Sequence, residues 1–441
     1  MNCPVKKFKT VSLAQILGML QINFIRQNKE LVKERLTVKH FGNLALLDAI
    51  IQQDENVRKL KTETETLQAT MNAASKEIGM LMSKGEKAAA KQKKEEVAQH
   101  KSTLQNLNQQ LTDAEKILHD ELIKLPNLPH TSVPKGKTPE ENEVVKEGGS
   151  KPTLHEGALP HWELIKKYDL IDFETGAKIT GSGFPLYKGN GAKLQRALIQ
   201  YFLEYNTAAG YTEYLPPLMV NEATAYGTGQ LPDKEGQMYH AAADNFYLIP
   251  TAEVPVTNIY RDEIVKETSL PIKMTAYTPC FRREAGSFGA DVRGLNRVHQ
   301  FDKVEIVQLV HPEKSYAILE EMVTHVEKLL NTLNLPFRIL RLCGGDMSFA
   351  SALTYDFEVY SAAQQKWLEV SSVSNFETFQ TNRMKIRFKD SNGKTQLAHS
   401  LNGSSLALPR IVACLLENNQ TTDGILLPEV LHSYFGNSVI Q

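Results

Sequence analysis

The chain has 441 residues, 41% of them hydrophobic and 23% charged, with a formal net charge of −1 at pH 7. That length suits two domains with a sizeable core, and the balanced charge excludes a polycation, so any contact with nucleic acid must come from local basic patches. Cys3, Cys280, Cys343 and Cys414 form no CxxC pair, which argues against a disulfide framework or a zinc knuckle and fits a reducing cytoplasm. No apolar run reaches membrane-spanning length.

The first 20 residues carry three lysines, no acid and a short apolar stretch. Gln15 interrupts that stretch and a small-residue cleavage pattern is missing, so a signal peptide is not expected. From about Leu46 to Leu125 the pattern is helical. Val57, Thr64, Met71 and Ile78 recur every seven residues, as do Leu60, Leu67, Ala74 and Leu81. A second seam holds Val97, Leu104, Leu111, Leu118 and Leu125, with Leu107 and Ala114 between them. The two seams, broken around Ser83, Lys84 and Gly85, predict an antiparallel helical hairpin of coiled-coil type, and no proline interrupts it. Near the break, Lys84, Lys87, Lys91, Lys93, Lys94 and Lys101 face three glutamates, a surplus of three positive charges. On a coiled coil such a run is commonly only a solvated face. Pro126, Pro129 and Pro134 stop the helix, and residues 126–153 read as a linker.

From about Leu154 to the end, at 441, strand, turn and helix signals mix. A helix beginning near Gly191 puts Leu194, Ala197, Leu198, Tyr201 and Phe202 on one face, and Gly210 suits its stop. In LIPTAEVP, from Leu248, Thr251 and Glu253 lie two apart, which on an extended segment points both one way. A hydroxyl and a carboxylate so placed can bind a small polar amino acid. FRREAGSFGADVRGLNRVHQFDKVE, from Phe281, reads as two strands joined by a polar loop. Arg grips phosphate or carboxylate through paired hydrogen bonds, and Glu305 on the returning strand can meet a cation such as an amino group or a metal. WLEVSS, from Trp367, clusters Glu369, Ser371 and Ser372 at a strand end, a set that suits Mg²⁺ with phosphate oxygens. LNGSSLALPR, from Leu401, reads as a turn at Asn402, Gly403, Ser404 and Ser405 that starts a helix, with Pro409 near the helix start. Arg410 on that helix wants an anionic partner, since an unpaired buried charge is costly. No Walker-type or GxGxxG pattern appears.

The segment from Phe281 resembles motif 2 of the class II aminoacyl-tRNA synthetases in its seryl-tRNA synthetase form. The Gly191 segment is similar to motif 1, the Leu401 segment to motif 3, and Thr251-Ala252-Glu253 to that family's Thr-Ala-Glu element. The resemblance covers about residues 19–436 and implies an α+β fold: an antiparallel catalytic sheet flanked by helices over 154–441, and a tRNA-binding helical domain over 19–125. Its likeness at Met19, Leu20 and Phe24–Asn28 marks residues 1–18 as a non-native or disordered extension. It further implies a cytoplasmic homodimer that joins L-serine to tRNA(Ser) through a seryl-adenylate made from ATP, with tRNA(Sec) a further candidate substrate. Arg282 and Arg410 would be catalytic. Thr251, Ala252, Glu253, Arg282, Glu305, Asn402 and Ser404 would bind serine. Arg282, Arg283, Glu284, Val298, Glu369, Val370, Ser371, Ser372 and Arg410 would bind ATP. Glu369 and Ser372 would hold Mg²⁺, no zinc is expected, and the six tip lysines would touch tRNA. Ser348 and Leu353 depart from the family pattern. Two alternatives stand: a ligase loading a carrier protein, and a non-enzymatic scaffold. The long arm weighs against the first, and the retained Arg282, Glu369 and Arg410 against the second.

Overall fold

A computed structural model of the protein describes residues 22–233, 236–284 and 293–441. The expected extension over 1–18, Met19, Leu20, and the loop residues Gly286, Gly289 and Asp291 lie outside the described residues. The chain divides into two compact units, Leu20–Leu128 and Pro129–Gln441.

In the first unit, two short helices, Ile22–Gln27 and Lys29–Val38, precede two long ones, Ala45–Ser83 of 39 residues and Lys87–Leu122 of 36. At 1.5 Å per residue the first of these is about 58 Å long. Beyond Asp54, the only covered positions on it are Val57, Leu60, Thr64, Leu67, Met71, Ala74, Ile78 and Leu81. These are the two predicted sevenfold repeats, and the returning helix covers them. Gly85, at φ +81°, makes the reversal, in a backbone region that glycine enters without steric cost. Gln53 Nε2 donates to Ala114 O at 3.0 Å, and Lys93 Nζ lies 3.5 Å from Glu77 Oε2, which fixes the antiparallel register. Near the base, the buried Asp54 takes Arg26 at 2.6 Å and Arg58 at 3.0 Å. Of the tip lysines, Lys84, Lys87, Lys91, Lys94 and Lys101 are exposed. Lys93 differs: it sits half-buried on the seam, paired with Glu77 and, at 2.9 Å, with Glu96.

The second unit is organised by one eight-stranded sheet. Its strands are β1 (Glu143–Gly148), β2 (Thr212–Glu213), β3 (Ile272–Phe281), β4 (Gln300–Val310), β5 (Phe337–Arg341), β6 (Leu353–Ser361), β7 (Lys366–Asn375) and β8 (His399–Ala407). Their spatial order is β1-β5-β6-β7-β8-β4-β3-β2. Every neighbouring pair is antiparallel except β2 with β3. Strands β4 and β8, at the centre, are buried almost throughout and do not alternate. The helix Gly189–Ala208 packs on β3 and β4, Ser315–Thr332 on β7 and β8, and Leu408–Asn418 on β4, β6 and β7. This is the expected α+β arrangement with an antiparallel sheet.

Two local expectations fail. The segment read as a linker contains β1, an edge strand paired with β5; its exposed, charged side chains are normal for a sheet edge and mask the strand in sequence. Asn402, Gly403, Ser404 and Ser405 do not form a turn but lie inside β8. There Ser405 Oγ donates to Asn206 Oδ1 at 3.0 Å, so packing on both faces overrides turn propensity.

Candidate active site

The β3–β4 hairpin supplies the floor of the site. Its ladder pairs Phe281 with Gln300 and continues to Ile272 with Leu309. Alternation along β4 puts Phe301, Lys303 and Glu305 on one face, and all three line a cleft of about 620 Å³. Strand β8 crosses beside them: Ser404 stands opposite Glu305 in the register, and Asn402 and Ser404 open into the same cleft. Thr251 and Glu253 also line it. They are not on an extended segment as expected. Pro250 follows the short strand Phe246–Leu248, and Glu253 begins the helix Glu253–Thr257. Thr251 Oγ1 accepts the Glu253 backbone N–H at 3.2 Å, the local bond by which a threonine turns a chain.

The acids here are buried and interlocked. Glu305 is 1% exposed; its Oε2 accepts the Thr251 hydroxyl at 3.1 Å and faces Lys303 Nζ at 2.6 Å. Glu253 Oε1 accepts Gln380 Nε2 at 2.5 Å, and Gln380 Oε1 in turn accepts the Ser400 hydroxyl at 2.8 Å. Burial, then the nearby Glu305 charge, pushes the Glu253 carboxyl up to about 7, against the pull of Gln380, Lys303 and Asn402. Near neutral pH this group therefore exchanges a proton.

The arginines come from separate parts of the chain to that cleft. Arg282 follows β3 directly; its Nε donates to Pro250 O at 3.4 Å and its guanidinium lies 5.2 Å from the Phe301 ring centre. Arg410 sits in the first turn of the helix Leu408–Asn418, with Pro409 ahead of it where a missing N–H costs nothing. Its Nε donates to Asn296 O at 3.0 Å and its Nη1 to Glu369 O at 2.7 Å, with Glu369 Oε2 at 3.5 Å. Glu284 and Val298 line the cleft too, and Glu284 Oε2 holds Arg297 Nε at 2.9 Å.

His161 fixes the returning limb of the loop that carries Asn296. It is fully buried, with Nδ1 2.7 Å from Glu417 Oε1, and its Nε2 accepts the Leu295 N–H at 2.9 Å. An accepting Nε2 makes Nδ1 the protonated nitrogen of a neutral ring. Burial pushes the Glu417 carboxyl up, but hydrogen bonds from the His161 ring, Ser361 and the His161 backbone outweigh it and hold the group below its ordinary value. Gly294, at φ +67°, passes so close that a Cβ there would stand 2.3 Å from His161 Nε2.

On β7, Glu369, Val370, Ser371 and Ser372 all border the cleft. Glu369 is exposed in it, whereas the Ser371 hydroxyl donates to Ser404 O at 2.6 Å and braces β7 against β8. Opposite Ser372, Asp356 is held well above the usual carboxylate range by burial and then by the Glu369 charge, and its Oδ1 has no hydrogen-bond partner. Glu369, Ser372 and Asp356 are hard oxygen donors, and the orphaned oxygen suits a cation completed by phosphate and water.

Two expected residues fall elsewhere. Ala252 is fully buried in an apolar cluster with Val256, Met274 and Ala276, so only its backbone can serve the site. Arg283 is not among the cleft-lining residues, because neighbouring positions of an extended chain point opposite ways. Conversely, Lys303, Gln380 and Asp356 were not singled out by sequence. The one sequence signal that could have found any of them is the spacing of Lys303, two residues from Glu305 on a strand. Ser348 borders the cleft, while Leu353 is buried at the start of β6.

Sheet, hairpin and cleft together describe a class II aminoacyl-tRNA synthetase core. A family model for the tRNA synthetase class II core domain (G, H, P, S and T) matches residues 238–419, and one for the seryl-tRNA synthetase N-terminal domain matches residues 19–129. A serine--tRNA ligase of Salinibacter ruber is 49% identical over 95% of this chain and 98% of its own, and that of Methylacidiphilum infernorum is 49% identical over 95% and 99%. The structure of seryl-tRNA synthetase from Pyrococcus horikoshii complexed with ATP is 32% identical and superposes with TM-score 0.89 over 96% of this chain and 99% of that one. The cytoplasmic serine-tRNA ligase of Naegleria fowleri in complex with AMP gives TM-score 0.86 at 25% identity over the same shares. The chain belongs to the seryl-tRNA synthetase family. Among the described residues, no helix is long and apolar enough to cross a membrane.

Proposed function

We propose that the chain is a serine--tRNA ligase that activates L-serine with ATP and transfers it to tRNA(Ser). The observation that carries this reading is the meeting of Arg282, Arg410 and the acids Glu253 and Glu305 in one cleft. Serine is a zwitterion with a hydroxyl, and the cleft offers a partner for each part. Glu305, with Glu253 and Thr251, takes the ammonium. Arg282 takes the carboxylate and the α-phosphate, and Arg410 the outer phosphates. Asn402 and Ser404 meet the hydroxyl. Glu369 and Ser372, with Asp356 beside them, would hold the Mg²⁺ of ATP, which would neutralise phosphate charge.

Activation needs no protein nucleophile; positioning and charge stabilisation suffice. Refusal of alanine follows from leaving buried hydrogen-bonding groups without partners, which discriminates by about 10⁴-fold. Threonine is refused by steric fit beside Asn402 and Ser404. The arm with its exposed lysines grips the tRNA backbone by shape, as suits an RNA helix, and tRNA(Sec) is a second substrate on the same grounds. Residues 19–125 thus serve tRNA binding and 154–441 catalysis. Leu215, 85% exposed after the motif 1 helix and strand, supports a homodimer through that segment.

The test is charging of total tRNA with labelled serine, threonine and alanine in parallel. Serine alone is expected to be incorporated; equal incorporation of alanine, or none of serine, refutes the reading.

A further inference from the structure

Lys303 is a buried cation that the assignments above leave without a role in the reaction. Its side chain is 7% exposed and its Nζ lies 2.6 Å from Glu305 Oε2, the oxygen that also receives the Thr251 hydroxyl. This ammonium is thus paired with the same carboxylate that is assigned to serine's ammonium. A buried carboxylate needs such a counter-charge, because losing one partner of a buried pair is strongly destabilising.

The position along the strand matters as much as the pair. Phe301, Lys303 and Glu305 form a row on one face of β4, in steps of about 7 Å. Arg282 lies over the Phe301 end, and the Thr251–Glu253 group gathers at the Glu305 end. Lys303 stands between the arginine end and the ammonium end. The β4–β8 register shifts between Lys303, opposite Ala407, and Glu305, opposite Ser404. The extra residue is in β8, where Leu406 takes φ +74°, while β4 stays in unbroken register with β3, so the row of Phe301, Lys303 and Glu305 is kept. The lysine stem is flexible, so its charge can move between partners without backbone motion.

We propose that Lys303 is a catalytic residue with two successive partners: it neutralises Glu305 before serine binds, and serine's ammonium displaces it onto the carboxylate and α-phosphate oxygens that flank the new oxygen–phosphorus bond. This rests on the ligase reading. In the step itself, a serine carboxylate oxygen bonds to the α-phosphorus, and the bond from that phosphorus to the bridging oxygen breaks. Pyrophosphate leaves with the electron pair. No proton moves; the Lys303 charge stabilises that on the α-phosphate oxygens, beside Arg282.

The test is serine-dependent ATP–pyrophosphate exchange by wild type, K303M and K303Q, with kcat and the KM for serine determined separately and thermal unfolding measured on each. Losing one preorganised donor of this kind costs about 100-fold or more in kcat. That loss is expected in both variants, with the KM for serine moving less than about fivefold, because the displaced charge acts on the transition state. K303Q, which keeps a donor toward Glu305, serves if K303M does not fold. A kcat within about threefold of wild type in a folded variant, with only KM or unfolding temperature changed, makes Lys303 a structural counter-charge and overturns the proposal. Absence of serine-dependent exchange by the wild-type chain would instead overturn the ligase reading beneath it.

Discussion

Shortening the arm without altering its tip separates tRNA binding from chemistry. The cross-helix contacts Gln53–Ala114 and Lys93–Glu77 place residues opposite one another when their numbers sum to about 167–170. Deleting 57–63 together with 104–110 therefore removes facing heptads and keeps both seams in phase. Seven residues at 1.5 Å withdraw the tip by about 10 Å, more than the Debye length of about 8 Å at physiological ionic strength. Lys84, Lys87, Lys91, Lys94 and Lys101 should then lose the tRNA phosphates proposed as their partners. Each lost contact lowers the slope of log affinity against log salt by about 0.7–0.9, so loss of three flattens it by more than two. The assays are serine-dependent pyrophosphate exchange, tRNA charging, and charging at several salt concentrations. Exchange should stay within twofold of wild type, charging kcat/KM should fall at least about 100-fold, and the salt slope should flatten. Charging within threefold of wild type would refute the assigned role of the arm.

Other outcomes follow from the cleft. Glu305→Gln should reduce pyrophosphate exchange about 100-fold or more, as expected for losing a charged partner in a dry site, while tRNA affinity in a filter-binding assay stays within threefold. Because the folded Glu253 carboxyl sits at about 7 against 4.5 unfolded, the native state holds an extra proton between those values, and stability falls as pH rises through that window. Serine's ammonium prefers the ionised form, so the KM for serine should drop about tenfold between pH 6 and 8; Glu253→Gln should remove that dependence in exchange assays. Gly294→Ala drives a methyl into His161 and strains a left-handed residue. It should lower exchange at least tenfold while leaving the arm's tRNA affinity unchanged, measured on the same two assays.

The sequence disclosed much of the architecture wherever a pattern repeated or a motif was complete. The arm was legible because its covered positions obey a strict sevenfold period, and Gly85 marks the turn. The hairpin of β3 and β4 was legible from its strand–loop–strand pattern. The strand β1 was hidden because an exposed edge looks like a linker. Asn402 to Ser405 misled because polar side chains that suit a turn are here paired across a buried strand. Thr251 and Glu253 do meet, through a turn and helix start at which Thr251 Oγ1 accepts the Glu253 N–H. Lys303, Gln380 and Asp356 stayed hidden because their roles depend on partners far along the chain: Gln380 reaches Glu253, and Asp356 stands across the sheet from Ser372. Lys93 looked like its neighbours yet lies on the seam, where Glu77 and Glu96 hold it.

The most direct test of the central claim is a crystal structure with a non-hydrolysable seryl-adenylate analogue bound. The account predicts the ammonium within hydrogen-bond distance of Glu305, with the phosphate mimic against Arg282 in the same cleft. An analogue seated away from Glu305, or with its ends reversed so that the ammonium meets Glu369, would contradict it.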